Sequence, residues 1–236
     1  MKNKILIIDK CLKKKFDTPK RSKKQPDPVD LLIATILSQN TNDKNSYKAF
    51  QNLKEKYPKW EDVAKLRRTR IEKIIKVAGL GKQKSKAIKN LLASLIKEKG
   101  KISLDHLSKM KNEEILDELI EYTGIGVKTA SCVLLFSLKR NVCPVDTHVH
   151  RTLNRIGIVK TSTADKTFYS INEKLPDKVA HSFHTNLIRL GREICKPAKP
   201  VCIECPLLSI CKFENKNLDS NKKKEAENSF MLLDNV

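Results

Sequence analysis

The chain has 236 residues, and its 48 Lys and Arg against 27 Asp and Glu give a net charge of +21. That length suffices for one large or two small domains with a buried core. The charge favours a polyanionic partner, nucleic acid above all, although many of these lysines alternate with apolar residues on ordinary solvated helix faces. No apolar run is long enough to cross a membrane, and the opening MKNKILIIDKCLKKKF is too short and too interrupted by charge for a secretory signal. The chain therefore reads as intracellular, in the cytoplasm or nucleoid of a prokaryote, where its seven cysteines are ligands or buried thiols rather than disulfides.

Residues 3–16 read as one helix with Ile5, Leu6, Leu12 and Phe16 on its inner face. A basic linker, Lys20 to Lys24, runs to Pro26. Asp27-Pro28 then reads as an N-cap with proline at the first helical position. The helix behind it, Val29 to Leu37, is apolar almost all round and should be fully buried. The polar cluster Ser38-Gln39-Asn40-Thr41-Asn42-Asp43 supplies the next N-cap. Tyr47, Phe50, Leu53 and Tyr57 mark an amphipathic helix stopped by Pro58. Ile71, Ile74, Ile75 and Val77 mark another, broken at Gly79-Leu80-Gly81. Ala87, Ile88, Leu91, Leu92, Leu95 and Ile96 form a stripe of helical period ended by Gly100. Asn112 is placed to cap a helix bearing Ile115, Leu116, Leu119 and Ile120. No alternating strand pattern and no longer repeat appears, so the expected class is all-α.

The next turn is Thr123-Gly124-Ile125-Gly126-Val127-Lys128, followed by the apolar segment Thr129–Leu138. Glycines tolerate positive φ in a short helix–turn–helix link, and they let backbone approach a ligand closely. N–H groups at the start of the second helix would then suit a phosphate. On its own the pattern leaves two readings open, a phosphate site and a plain tight turn. Further on, Asp146 in VDTHVHR is an isolated carboxylate that also suits the N-cap of a helix from Thr147 to Arg155.

Together these stretches resemble the endonuclease III family, helix-hairpin-helix DNA glycosylases and abasic-site lyases with a [4Fe-4S] cluster. LxxxTGIGVKTA matches the hairpin motif, and VDTHVHR matches the end of the family's Gly/Pro-rich loop. The Lys128–Asp146 separation, 146 − 128 = 18 residues, is the family's own. Thr123 stands where relatives often have proline, a change that softens the turn without touching the chemistry. The resemblance implies that Lys128 attacks the sugar C1′ and forms a Schiff base, which permits β-elimination of the 3′ phosphate. The first turn of a helix, where the dipole disfavours a second positive charge, suits a lysine that must shed its proton to attack. Asp146 would accept that proton or stabilise positive charge on the sugar, and cap its helix as well. His148 and His150 raise the question of a general base, but structural or phosphate-contacting roles are the expectation. Thr123, Gly124, Ile125, Gly126 and His148 are thus expected at the DNA. Cys132 and Cys143 are read as buried thiols.

Cys195, Cys202, Cys205 and Cys211 form C-x6-C-x2-C-x5-C. Four thiols so close in an intracellular chain indicate a metal centre, and spacing alone leaves zinc and an iron–sulfur cluster open. The family resemblance selects the [4Fe-4S] cluster. Between the first two cysteines, Lys196 and Lys199, stiffened by Pro197 and Pro200, form a basic loop suited to phosphates. Flipping a base out of a duplex leaves a gap to be filled. By resemblance the fillers are Leu80 and either Gln39 or Asn40 of LSQNTND.

The resemblance covers Asp27 to Phe213. It implies a six-helix domain over 26–140, a second domain made of 1–25 with 141–213 and the cluster, and DNA bound in the groove between them. Residues 214–236 read as a polar, poorly ordered tail in which Phe230–Leu233 is the one apolar stretch able to dock. The implied function is a monomeric, bifunctional glycosylase and lyase acting on oxidised pyrimidines in double-stranded DNA with a damaged base or abasic site. A related glycosylase for other or mismatched bases is the second reading, against which Lys128 argues. A non-catalytic DNA-binding module with a four-cysteine zinc site is the third.

Overall fold

The computed structural model describes residues 1–22 and 24–219, and these are helical with no strand among them. Residues 220–236, including Phe230–Leu233, lie outside the described residues. The chain divides into two compact units. Among the described residues, one joins Met1–Arg21 to 141–219, and the other is Ser22–Arg140.

Helix α1 (Lys2–Phe16) belongs to the discontinuous unit. It buries Ile5, Ile8, Leu12 and Phe16, whereas Leu6, expected inside, is 45% exposed. The steps from 5 to 8, 12 and 16 keep to one helical stripe, and Leu6 stands a fifth of a turn or more off it. Asp9 on that stripe is buried but paired, with Lys13 Nζ at 2.6 Å and the Ser182 hydroxyl at 2.7 Å.

The unit Ser22–Arg140 is built around α2 (Pro28–Ser38). Asp27 caps it, accepting from Val29 N–H at 2.8 Å and Asp30 N–H at 3.2 Å, with Pro28 at the first position as expected. Val29 and every residue from Leu31 to Leu37 are buried. Each large side chain among them contributes roughly 1.5–3 kcal/mol by leaving water. Asp30 is the polar exception and accepts from the Trp60 indole at 2.6 Å and Lys54 at 3.2 Å.

Helix α3 (Asp43–Lys56) is capped by Asn42, which accepts from Asn45 N–H at 2.8 Å. Two short helices follow, α4 (Trp60–Lys65), which has no counterpart in the sequence reading, and α5 (Arg68–Ile74). A 3-10 turn, Lys76–Ala78, tightens the chain after α5 and turns Val77 outward, so Val77 does not join the expected apolar face. Helix α6 (Gly81–Lys99) ends at Gly100 in the left-handed conformation. Its buried stripe is Lys84, Ile88, Leu91, Leu92 and Leu95, and Ile96 is exposed. Helix α7 (Asn112–Ile120) begins one residue earlier than expected, with Lys111 at the cap and Asn112 as the first helical residue. The Glu114 carboxylate reaches back to accept from Lys111 N–H at 2.8 Å, half of a capping box. Helix α8 (Val127–Cys132) widens into a π turn, Val133–Ser137, and residues Thr129 to Phe136 are all buried.

In the discontinuous unit, α9 (Thr147–Ile156), α10 (Ala164–Asn172) and α11 (Ala180–Arg189) complete the helices, and a π turn, Leu190–Ile194, leads out of α11 to Cys195. Helix α1 packs on α11, where Arg189 stacks on the Phe16 ring at 4.7 Å and donates to Phe16 O at 2.7 Å. The chain stays attached beyond Phe213, since Asn217 O accepts from Cys202 N–H at 3.0 Å.

Candidate active site and four-cysteine centre

The turn between α7 and α8 is closed by Ile125 N–H donating to Tyr122 O at 3.0 Å. Ile125 is buried and pins the turn from behind, while Thr123, Gly124 and Gly126 are exposed. Gly124 has φ +88°, a conformation that disfavours any Cβ, and a Cβ there would also lie 3.1 Å from that of Ala87. Gly126 occupies the N-cap and brings no side-chain acceptor to α8. Backbone N–H groups of the first turn are therefore left for another acceptor, the arrangement that binds phosphate at helix starts.

Lys128 is the second residue of α8 and is half-buried. Asp146 caps α9, its Oδ1 accepting from Val149 N–H at 2.8 Å, and is also half-buried. Lys128 belongs to Ser22–Arg140 and Asp146 to the other unit. The loop before Asp146 is held firmly. Asn172 accepts from Cys143 N–H at 2.7 Å and donates to Cys143 O at 3.0 Å, and the His184 ring meets Pro144 O at 2.9 Å. Cys132 and Cys143 are buried, as expected.

His148 is half-buried, with Nδ1 3.2 Å from the Arg151 guanidinium. Burial lowers its pKa; Asp146 opposes the shift, and the charges of Arg151 and Arg192 reinforce it. His150 has a structural role, its Nδ1 meeting the Thr167 hydroxyl at 2.7 Å and so joining α9 to α10.

The loop after α2 is tied to the hairpin, because Gln39 Nε2 donates to Gly124 O at 3.2 Å. Its neighbour Asn40 is exposed at φ +50°. Leu80 caps α6 at φ +48°, with 46% of its surface exposed. An open recess beside it is lined by Thr69, Glu72, Lys73 and Lys76.

Cys195, Cys202, Cys205 and Cys211 line one cavity, closed on its apolar side by Ile194, Leu208 and Phe213. Burial pushes the Cys205 thiol up to about 11, and the neighbouring Cys195, Cys211 and Cys202 sulfurs push the same way against a backbone hydrogen bond. The Cys205 thiol therefore resists ionisation unless positive charge joins it. Among the described residues no three His, Cys, Asp or Glu side chains are grouped so as to hold a metal ion. Two arginines of α9, unremarked in the sequence, hold the loop that starts at Cys195. Arg151 donates to Cys195 O at 3.0 Å and Gly191 O at 2.8 Å. Arg155 donates to Lys196 O at 2.7 Å and Pro197 O at 2.9 Å, and stacks on Phe213 at 4.3 Å. Gly191 permits this approach, since a Cβ there would fall 2.7 Å from the His148 Cβ. Their spacing, four residues apart on one face, is the signal that could have exposed them. Lys199 is exposed at φ +53°, and Lys196 is half-buried.

Residues 33–177 match the family model of the HhH-GPD superfamily base excision DNA repair protein. The chain belongs to this superfamily. Among HhH-GPD relatives, endonuclease III of Thermotoga maritima is 36% identical over 193 residues, which cover 82% of this chain and 86% of that one. An Arabidopsis thaliana protein, a DNA glycosylase by name, is 38% identical over 190 residues, covering 76% of this chain and 65% of the plant protein. A trapped endonuclease III–DNA covalent intermediate superposes with a TM-score of 0.76 at 28% identity, over 90% of this chain and 96% of that one. The all-helical HhH-GPD architecture expected from the sequence is thus the one observed. No helix among the described residues is long and apolar enough to cross a membrane.

Proposed function

We infer that this HhH-GPD protein is a bifunctional DNA glycosylase and abasic-site lyase of base excision repair, acting on oxidised pyrimidines in duplex DNA at the nucleoid. The observation that carries the reading is Lys128, a half-buried amine in the first turn of α8, directly behind an exposed glycine hairpin whose N–H groups suit a DNA phosphate. The likeness to a covalently trapped endonuclease III complex supports it.

On this reading the hairpin from Thr123 to Gly126 binds the backbone of the damaged strand by main-chain N–H groups. The Lys128 amine attacks C1′, the glycosidic C–N bond breaks, and the base leaves with that electron pair and a proton. Opening of the sugar ring gives an iminium. Loss of a C2′ proton then expels the 3′ phosphate with the C3′–O electron pair, and water releases the enzyme. Asp146 takes the lysine proton or steadies positive charge on the sugar, while its Oδ1 keeps the start of α9 in place. Gap filling falls to Leu80 and, with the Gln39 side chain engaged at the hairpin, to Asn40. Lys196, Lys199 and His148 are assigned to phosphate contacts.

The four cysteines are proposed ligands of a [4Fe-4S] cluster. Four cysteines line one largely apolar cavity, and iron charge would offset the burial of the Cys205 thiol. Bound there, the cluster would staple the Cys195–Cys211 loop.

Lys128→Gln is expected to abolish both base release and nicking while retaining affinity for lesion-bearing duplex. Borohydride should trap wild-type protein on that DNA and leave the variant untrapped. Nicking of abasic DNA by Lys128→Gln at the wild-type rate would remove the lysine from its assigned role.

A further inference from the structure

Lys84 lies in the first turns of α6 and is 2% exposed, a burial that lysine adopts only with partners. Its Nζ donates to Leu37 O at 2.8 Å and to Ala78 O at 2.7 Å. Both acceptors sit at the ends of helical segments, Leu37 at the last turn of α2 and Ala78 closing the 3-10 turn. Such ends leave carbonyls without intrahelical partners and carry partial negative charge. One ammonium therefore satisfies two chain ends at once. Burial pushes its pKa down to about 8, so it still holds its charge and all three donors at neutral pH.

The two carbonyls stand directly before the two turns expected at the DNA. Gln39 and Asn40 come two and three residues after Leu37, and Leu80 comes two residues after Ala78. Asn40 and Leu80 are both non-glycine residues in the left-handed region, at φ +50° and +48°. Such conformations persist only where their surroundings hold them. A shared anchor immediately behind both turns is such a restraint.

We propose that Lys84 is a positioning residue for DNA gap filling, fixing the Asn40 turn and the Leu80 turn at one spacing so that both side chains enter the duplex as a single wedge. The proposal rests on the glycosylase reading above. Lysine suits the task because a compact ammonium turns its donors toward two carbonyls on different segments, where a planar guanidinium would demand a fixed fork. An apolar substitute leaves two buried carbonyls unpaired and the two turns free to move apart.

The test compares two substrates. A paired lesion must be flipped and its gap filled, whereas an abasic site in single-stranded DNA has no gap. Lys84→Met is expected to lower base release from duplex by about 10- to 100-fold, the scale of misplacement at a distance from the chemistry. Nicking of the single-stranded abasic oligonucleotide should stay within about twofold of wild type. In a Leu80→Ala background the same substitution should cost much less than in wild type, because both changes disable one wedge. Lys84→Gln, which keeps two side-chain donors, carries the same comparison if the methionine variant loses its helical circular dichroism. Equal losses on both substrates, or full additivity with Leu80→Ala, would reduce Lys84 to a packing element and overturn the proposal. Wild-type protein that nicks single-stranded abasic DNA but releases no base from any lesion duplex would instead sink the glycosylase reading.

Discussion

Burial holds the Lys84 ammonium at about 8 against an ordinary lysine value of 10.5. Between those values the unfolded chain binds more protons at this position than the folded one. Stability from this residue is therefore lowest below pH 8 and rises as pH climbs toward 10.5. One pKa unit is worth about 1.4 kcal/mol, so wild type should gain up to about 3 kcal/mol relative to Lys84→Met between pH 7 and pH 10. Urea titrations of the two proteins at both pH values measure it, and a constant difference would show that burial does not shift this lysine. In the run GLGKQKSKAIKN, Lys84 rather than Lys82, Lys86 or Lys89 continues the apolar stripe of Ile88, Leu91 and Leu95, which marks it for burial. Its partner is a backbone carbonyl 47 residues away, which no local pattern encodes. Lys128, Asp146 and the four cysteines stand out along the chain by spacings that resemble those of the endonuclease III family, and their roles are proposed on that resemblance.

Helix α9 joins several functions through its first and middle turns. Asp146 opens it, and Arg151 and Arg155 reach the loop that begins at Cys195. The cap and the proposed chemistry of Asp146 are separable, since asparagine caps a helix about as well as aspartate. Asp146→Asn should leave stability within about 0.5 kcal/mol of wild type and sharply reduce base excision, while Asp146→Ala loses about 1 kcal/mol as well. Thermal melts beside single-turnover excision separate the two effects, and full activity in Asp146→Asn would confine the residue to capping. Elements with strong periodicity and punctuation, α2 and α6 in particular, were readable from sequence. Short α4 was not, because its six residues offer less than two turns of pattern. The start of α7 shifted to Lys111 because Glu114 caps through its carboxylate from inside the helix.

Across the whole molecule, on the proposed function, the +21 charge and the cysteine loop would both serve the grip on a polyanion. The all-helical class followed from composition and periodicity, but the shape of the cysteine cavity came only from side chains of α9, the π turn after α11 and the Phe213 segment meeting in space. The chain purified without added metal should be brown, with broad visible absorption and about four iron atoms per chain. A colourless protein holding zinc would replace the proposed cluster with a single-ion site. Mutating the ligands should spare far-ultraviolet helicity, since the segment from Cys195 to Cys211 contains one 3-10 turn and no longer helix.

The pairing of α1 with α11 has a consequence for synthesis. The Asp9 side chain meets Ser182, 173 residues later, and Arg189 bonds to Phe16 across the same separation. On the ribosome, at about 5–20 residues per second, the first helix emerges roughly 10–35 s before its partner. Ser22–Arg140 is complete in that interval, while Ile5, Ile8, Leu12 and Phe16 have nothing of their own unit to cover them. The nascent chain thus carries the apolar face of α1 uncovered until α11 has been made.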